Sequence, residues 1–175
     1  IFISIAIKLE DGGPIFFEQD RWGLNGKIIS VYKFRSMHPG AGCKQATIND
    51  SRVTQVGRIL RATGLDELPQ LLNIIKGEMS FVGPRSLAVN EEIYDENGVS
   101  LRYEDIPGFM ERLSVLPGLT SLATIYDRKD VHPRKKFKDD LVYIREQSFW
   151  LDLKLIIISV WISIKGNWEN REKKF

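Results

Sequence analysis

Residues 14–37 read PIFFEQDRWGLNGKIISVYKFRSM, and whether they form strand or helix separates an α+β chain from an all-helical one. PIFFEQ is rich in β-formers, IISVYKF returns with β-branched and aromatic residues, and between them LNGK carries Asn25-Gly26. That dipeptide tolerates the positive φ angles of a tight hairpin turn, so a β-hairpin is predicted. Lys33 and Arg35 flank Phe34, which on a strand places both basic groups on one face. An ordinary amphipathic strand has the same pattern.

Outward from the hairpin, residues 38–52 hold Gly, Pro, Asn and Asp without periodicity, the pattern of an exposed loop. Val53, Val56 and Leu60 then recur at helical spacing, which sets Arg58 and Arg61 together on another face. Residues 64–73, GLDELPQLLN, open a second helix in which Leu68, Leu71, Leu72 and Ile75 follow the i, i+3, i+4, i+7 pattern. Proline is tolerated in a first turn, so Pro69 sets the helix start within a turn of Asp66, and Gly77 suits its end. SFVGPRS leaves that helix in a Gly-Pro turn, residues 87–113 are polar and helical in parts, and 115–125 are a turn followed by a short apolar element. With no repeat and no Pro/Gly/Ser linker, the expectation is one α+β domain, mainly helical, with one hairpin.

Two apolar segments lie at the ends. IFISIAI (1–7) is far too short to span a bilayer and reads as the end of a longer hydrophobic element or as a buried helix or strand end. Residues 148–168, SFWLDLKLIIISVWISIKGNW, are interrupted by Asp152 and Lys154 and flanked by Trp150, Trp161 and Trp168. They suit a helix lying in the membrane interface, or equally a buried core helix.

The net charge of +2 does not point to nucleic acid, and neither a nucleic-acid motif nor a Gly-rich phosphate loop is present. Basic residues gather at 128–138 and in the terminal REKKF, as on a solvated loop or a surface facing phosphate or anionic lipid. A single cysteine, Cys43, excludes an internal disulfide framework, and with only His38 and His132 beside it a structural zinc site is implausible.

Asp66 and Glu67 admit two readings. Acids are at home in a helix's first turn, and Thr63 with Asp66 has capping-box spacing. Their company favours chemistry: Arg58 and Arg61 precede them, Arg85 follows in GPR, and Lys33 and Arg35 end the hairpin. A carboxylate among such cations should stay ionised. It can then hold Mg²⁺ with substrate phosphates or attack phosphorus to form an acyl phosphate. Neighbours on an α-helix diverge by ~100°, so the two acids would do different jobs.

GPIFFEQDRWGLNGKIISVYKFRSM, GRILRATGLDELPQLLNIIKGEMSFVGPRS and PGLTSLA…WLDLKL together resemble the bacterial sugar transferase family, the monotopic phosphoglycosyl transferases that begin polysaccharide and glycoconjugate assembly. The resemblance covers nearly the whole chain in order. It implies transfer of a sugar-1-phosphate from a nucleotide sugar, usually a UDP-sugar, to a membrane polyprenyl (undecaprenyl) phosphate, with release of UMP. It makes Asp66 the nucleophile and Mg²⁺ ligand, Glu67 its partner in proton removal, and Arg85 a phosphate-binding group. Lys33 and Arg35 match basic positions of the family, and Arg58 and Arg61 lie in family-like context.

The resemblance also implies that residues 1–13 are the exit end and junction of a re-entrant membrane helix. Residues 14–175 would then be the catalytic domain, with a C-terminal interfacial helix, on the cytoplasmic face of the bacterial inner membrane. The Ser-Pro break of that re-entrant helix is not in these residues. Two further positions depart from the family: Ser86 replaces the second proline of Pro-Arg-Pro, and Ser121 stands where glycine is common, so an altered local turn is expected there. From other functional classes, a silent interfacial scaffold predicts lipid binding without nucleotide-sugar binding. A nucleic-acid binder would use the 128–138 run.

Overall fold

The computed structural model describes residues 1–42, 50–91, 93–94, 100–127 and 132–168; Cys43, residues 128–131 of the basic run and the terminal REKKF lie outside them. The hairpin forms where predicted. Strands β1 (Phe16–Trp22) and β2 (Ile28–Phe34) pair antiparallel with Trp22 opposite Ile28. Asn25 and Gly26 take φ of 55° and 78°, and Lys27 N–H donates to the Leu24 carbonyl at 3.1 Å. Within the five-residue connection 23–27 this is a β-turn whose two central residues both lie in the left-handed region. Ile29 and Val31 pack inward on Met79 and Ile74.

Helix α1 (Phe2–Asp11) precedes the hairpin and stops at Gly12, φ 70°. Only Ile7 is buried, and Ile1, Phe2, Ile5 and Leu9 are exposed. Helix α2 (Gln55–Thr63) begins two residues later than its apolar pattern suggests, because Thr54 caps it through the Gly57 N–H at 2.9 Å. Val53 instead bridges Met37.

The segment carrying the acidic pair differs from expectation. After Gly64 ends α2, residues Leu65–Gln70 form a 3₁₀ helix, and only Leu71–Ile75 continue as α-helix α3. Pro69 has no N–H to give to an α-helical ladder, and the segment is pinned between left-handed Gly64 and Gly77. Thr63 makes no capping box: its hydroxyl donates back to the Ile59 and Leu60 carbonyls at 2.8 and 3.1 Å. The helix is also turned inside out. Leu68, Leu71, Leu72 and Ile75 are exposed, whereas Gln70 and Asn73 are buried. The Asn73 amide donates to the Ser30 carbonyl and to Glu78, both at 2.8 Å, and accepts from the Tyr32 N–H at 3.4 Å. Three partners make that burial tolerable.

Strand β3 (Ser80–Val82) pairs in parallel with a strand far along the chain, Gly118–Thr120. A Cβ on Gly118 would lie 2.1 Å from the Gly83 nitrogen, so only glycine allows this approach. Between them come the short antiparallel pair β4 (Ile93–Tyr94) and β5 (Ser100–Leu101), which makes Gly118–Thr120 β6, a 3₁₀ turn Tyr103–Asp105 and helix α4 (Phe109–Arg112). These pack with Phe137 and Trp22 into one apolar cluster. Helix α5 (Leu122–Tyr126) follows, capped by Ser121 Oγ on the Thr124 N–H. Ser121 is extended at φ −142°, so serine is unstrained there and acts as a cap.

Of the basic 128–138 run, residues 133–138 are helical: α6 (Pro133–Glu146) opens with Pro133, and His132 accepts from the Arg134 N–H. Helix α7 (Phe149–Lys165) has two apolar faces. Leu155 and Ile162 are buried with Val82, Ile125 and Tyr143, while Phe149, Trp150, Ile157, Trp161 and Ile164 are exposed. One face of this segment is therefore core, as the buried-helix reading expects, and the other is uncovered. Trp168 turns inward, its N–H bonded to the Ala62 carbonyl and its indole to Ser163. Among the described residues no helix is long and apolar enough to cross a membrane.

Candidate active site

In a 3₁₀ helix residues three apart eclipse. Leu65 and Leu68 thus form one row, Asp66 stands over Pro69, and Glu67 over Gln70. Pro69 and Gln70 are buried and Leu68 is exposed, so both carboxylates belong to the inward rows and diverge by ~120°. Glu67 meets the hairpin and the segment after β3. Its Oε1 accepts from Lys33 Nζ at 2.7 Å and from Arg85 Nη2 at 2.6 Å. Lys33 and Glu67 are mostly covered, while the Arg85 side chain is 39% exposed and within reach of a ligand.

Arg85 is held from behind. Its carbonyl accepts from Arg112 Nη2 at 2.8 Å, and the preceding Pro84 carbonyl accepts from the Gly118 N–H at 2.9 Å. Arg112 is buried, stacks 4.3 Å over the Phe137 ring and pairs with buried Asp140 at 2.7 Å. Arg21 Nη1 donates to the next carbonyl, that of Ser86, at 2.6 Å.

Asp66 contrasts with its neighbour. No side-chain hydrogen bond ends on its carboxylate among the described residues. Burial and the adjacent Glu67 charge push it up to about 6, against the opposing pull of Lys33, Arg61 and Arg85. Burial works against the Glu67 anion too, but Arg85 and Lys33 outweigh it by charge and hydrogen bond, and hold Glu67 well below the usual carboxylate range. The expectation that cations keep the nucleophile candidate ionised applies to Glu67. Lys33 and Arg85 are aimed at Glu67, and Asp66 has a like charge beside it.

Of the residues singled out from sequence, Asp66, Glu67, Lys33, Arg85 and Arg61 come together. Arg35 does not join them: it is buried, with Nη1 and Nη2 on Asp11 at 2.7 and 2.5 Å and Nε on the Pro14 carbonyl, where it ties α1 to the hairpin. Arg58 is exposed on α2 and is not among the principal charges acting on the pair. Arg21, Arg112 and Asp140 were missed. A signal existed for two of them. Arg112 follows Phe109 and precedes Leu113, and Asp140 follows Phe137 by three and precedes Tyr143 by three. Each is a charge on an otherwise apolar face, and such charges are rarely buried unless paired.

A Mg²⁺ ion fits this donor set in one way. Among the described residues no cluster of three His, Cys, Asp or Glu side chains exists, so the chain itself would supply the free Asp66 carboxylate and little more. Mg²⁺ keeps several waters and is commonly held by one carboxylate plus substrate phosphates.

A half-buried acid pair, one member without a side-chain hydrogen bond and one gripped by cations, is an arrangement able to take part in phosphoryl chemistry. The chain belongs to the bacterial sugar transferase family, which it matches over residues 1–166. Among its relatives, it is 45% identical over 168 residues to the UDP-glucose:undecaprenyl-phosphate glucose-1-phosphate transferase of Klebsiella pneumoniae, covering 91% of this chain and 35% of that protein. It is 44% identical to the protein of the same name from Escherichia coli (strain K12), covering 90% of this chain and 34% of the relative. With the exopolysaccharide production protein PSS of Rhizobium leguminosarum bv. phaseoli it shares 39% identity over 91% of this chain and 82% of that protein. The chain therefore spans about a third of the first two relatives and most of the third.

Proposed function

We propose that the chain is a phosphoglycosyl transferase that moves a sugar-1-phosphate from a UDP-sugar to a polyprenyl phosphate, in two displacements on Asp66. The observation that carries this reading is the free Asp66 carboxylate beside a cation-gripped Glu67. An Asp66 oxygen attacks the sugar-bearing phosphorus, the phosphoanhydride bond breaks and UMP leaves with the electron pair. A polyprenyl phosphate oxygen then attacks the same phosphorus, breaking the bond between phosphorus and the Asp66 oxygen and returning Asp66 as a carboxylate with that bond's electron pair. Lys33, Arg61 and Arg85 act on the Asp66 carboxylate, and Arg85 and Lys33 on Glu67, cationic surroundings of the kind that a site receiving a diphosphate needs. Mg²⁺, held by Asp66 and substrate oxygens, would neutralise phosphate charge. Glu67 is too strongly held as an anion to be an efficient base, so its role is to fix Lys33 and Arg85 in place.

The acceptor's head lies at a lipid surface. The uncovered apolar faces of α1 and α7, with exposed Trp150 and Trp161, support a monotopic, interfacial attachment at the cytoplasmic face of the bacterial inner membrane.

The test is to incubate the full-length protein in membranes with a panel of UDP-sugars, Mg²⁺ and polyprenyl phosphate, and to identify the nucleotide released. UMP supports the proposal and names the sugar. UDP would mean ordinary glycosyl transfer and remove Asp66 from its role. A further expectation concerns pH: with Mg²⁺ kept limiting, so that Asp66 is largely metal-free, the rate of UMP release rises about tenfold per pH unit below about 6 and levels above it, as Asp66 loses its proton. A flat profile from pH 5 to 8 in single-turnover measurements would contradict that assignment.

A further inference from the structure

The 3₁₀–α3 segment buries its amides and exposes its leucines, the reverse of a helix packed on a core. Leu72 is 54% and Ile75 82% exposed, while Asn73 between them is fully buried. The leucine face also adjoins the site: Leu68 directly follows Glu67, and its row lies beside that of Asp66. At its head stand Lys33, Arg61 and Arg85, with Arg85 reachable. An apolar stripe leading from a cationic cluster is complementary to an amphiphile with an anionic head and a hydrocarbon tail. From Leu68 to Ile75 it runs roughly 10–12 Å, room for about two isoprene units of ~5 Å each.

We propose that Leu68, Leu71, Leu72 and Ile75 form the binding surface for the first isoprene units of the acceptor, which positions its phosphate over Asp66. The inference rests on the proposed function and adds where the acceptor's tail lies. The far larger uncovered faces of α1 and α7 serve the bulk lipid, whereas this narrow stripe begins at Leu68, the residue after Glu67.

The experiment uses full-length protein in detergent, loaded with the phosphosugar and discharged by isopentenyl phosphate (one unit) or geranyl phosphate (two units). Wild type is expected to prefer geranyl phosphate by about tenfold in kcat/KM, through the added apolar contact. Leu72→Gln/Ile75→Gln, at exposed positions, should reduce that preference to near unity with UMP release during loading unchanged. Ile157→Gln/Ile164→Gln on the exposed face of α7 should retain it. No preference in wild type, an unchanged preference in the stripe variant, or equal loss in the α7 variant, which would mark general surface contact, would each overturn the stripe alone. Absence of UMP release from wild type during loading would overturn the parent reading and this one with it.

Discussion

Asp66→Asn is expected to lower UMP release by at least ~10³-fold while the protein stays folded and still binds the UDP-sugar. The amide keeps the side chain's shape but cannot form the acyl phosphate, and Asp66 makes no side-chain hydrogen bond whose loss would disturb the fold. Stability should move the other way. The folded-state value for Asp66 is raised from 3.8 to about 6, so its contribution is fully present below pH 3.8 and lost as pH rises through 6. At pH 8 the variant should therefore be the more stable protein, by on the order of 1–2 kcal/mol once partial exposure is allowed for. That advantage should vanish near pH 4. Denaturant melts at the two pH values, alongside single-turnover assays, check both halves. Wild-type turnover in Asp66→Asn would sink the covalent mechanism.

The second large effect lies behind the site. Arg112→Met should cost about 3–5 kcal/mol, because it leaves Asp140 buried and unpaired. For a chain of this size that corresponds to a fall in Tm of roughly 10 °C. The double variant Arg112→Met/Asp140→Leu should recover most of the loss, since well-packed apolar groups replace a buried ion pair at little cost. It should not recover activity, because the Arg85 carbonyl still lacks the Arg112 donor. KM for the UDP-sugar should stay raised in both variants. Recovery of stability and activity together would reduce Arg112 to a packing element.

Much of this was legible because it is local. Asn25-Gly26 specifies its turn, and Gly77 was visible as the end of the acidic segment's helix. What escaped depends on partners distant in sequence. Leucines at helical spacing read as a core face, yet the inner side is taken by Asn73, whose partners on Ser30 and Tyr32 belong to the hairpin. Lys33 and Arg35 look equivalent on one strand. Only the placement of Glu67 and Asp11 separates a site cation from a brace. The capping-box spacing was real but empty, because Gly64 ended one helix where that motif would have begun the next.

The hold on Arg85 has a consequence for how the protein is made. Chains emerge N-terminus first and fold as their partners become available. Asp66, Glu67, Lys33 and Arg85 are all present once residue 85 has been synthesised. The backbone around Arg85 still waits for Arg112 and Gly118, and Arg112 waits for Asp140. A nascent chain thus carries every charged group of the site well before it can hold them in register, and competence arrives late and at once, with helix α6.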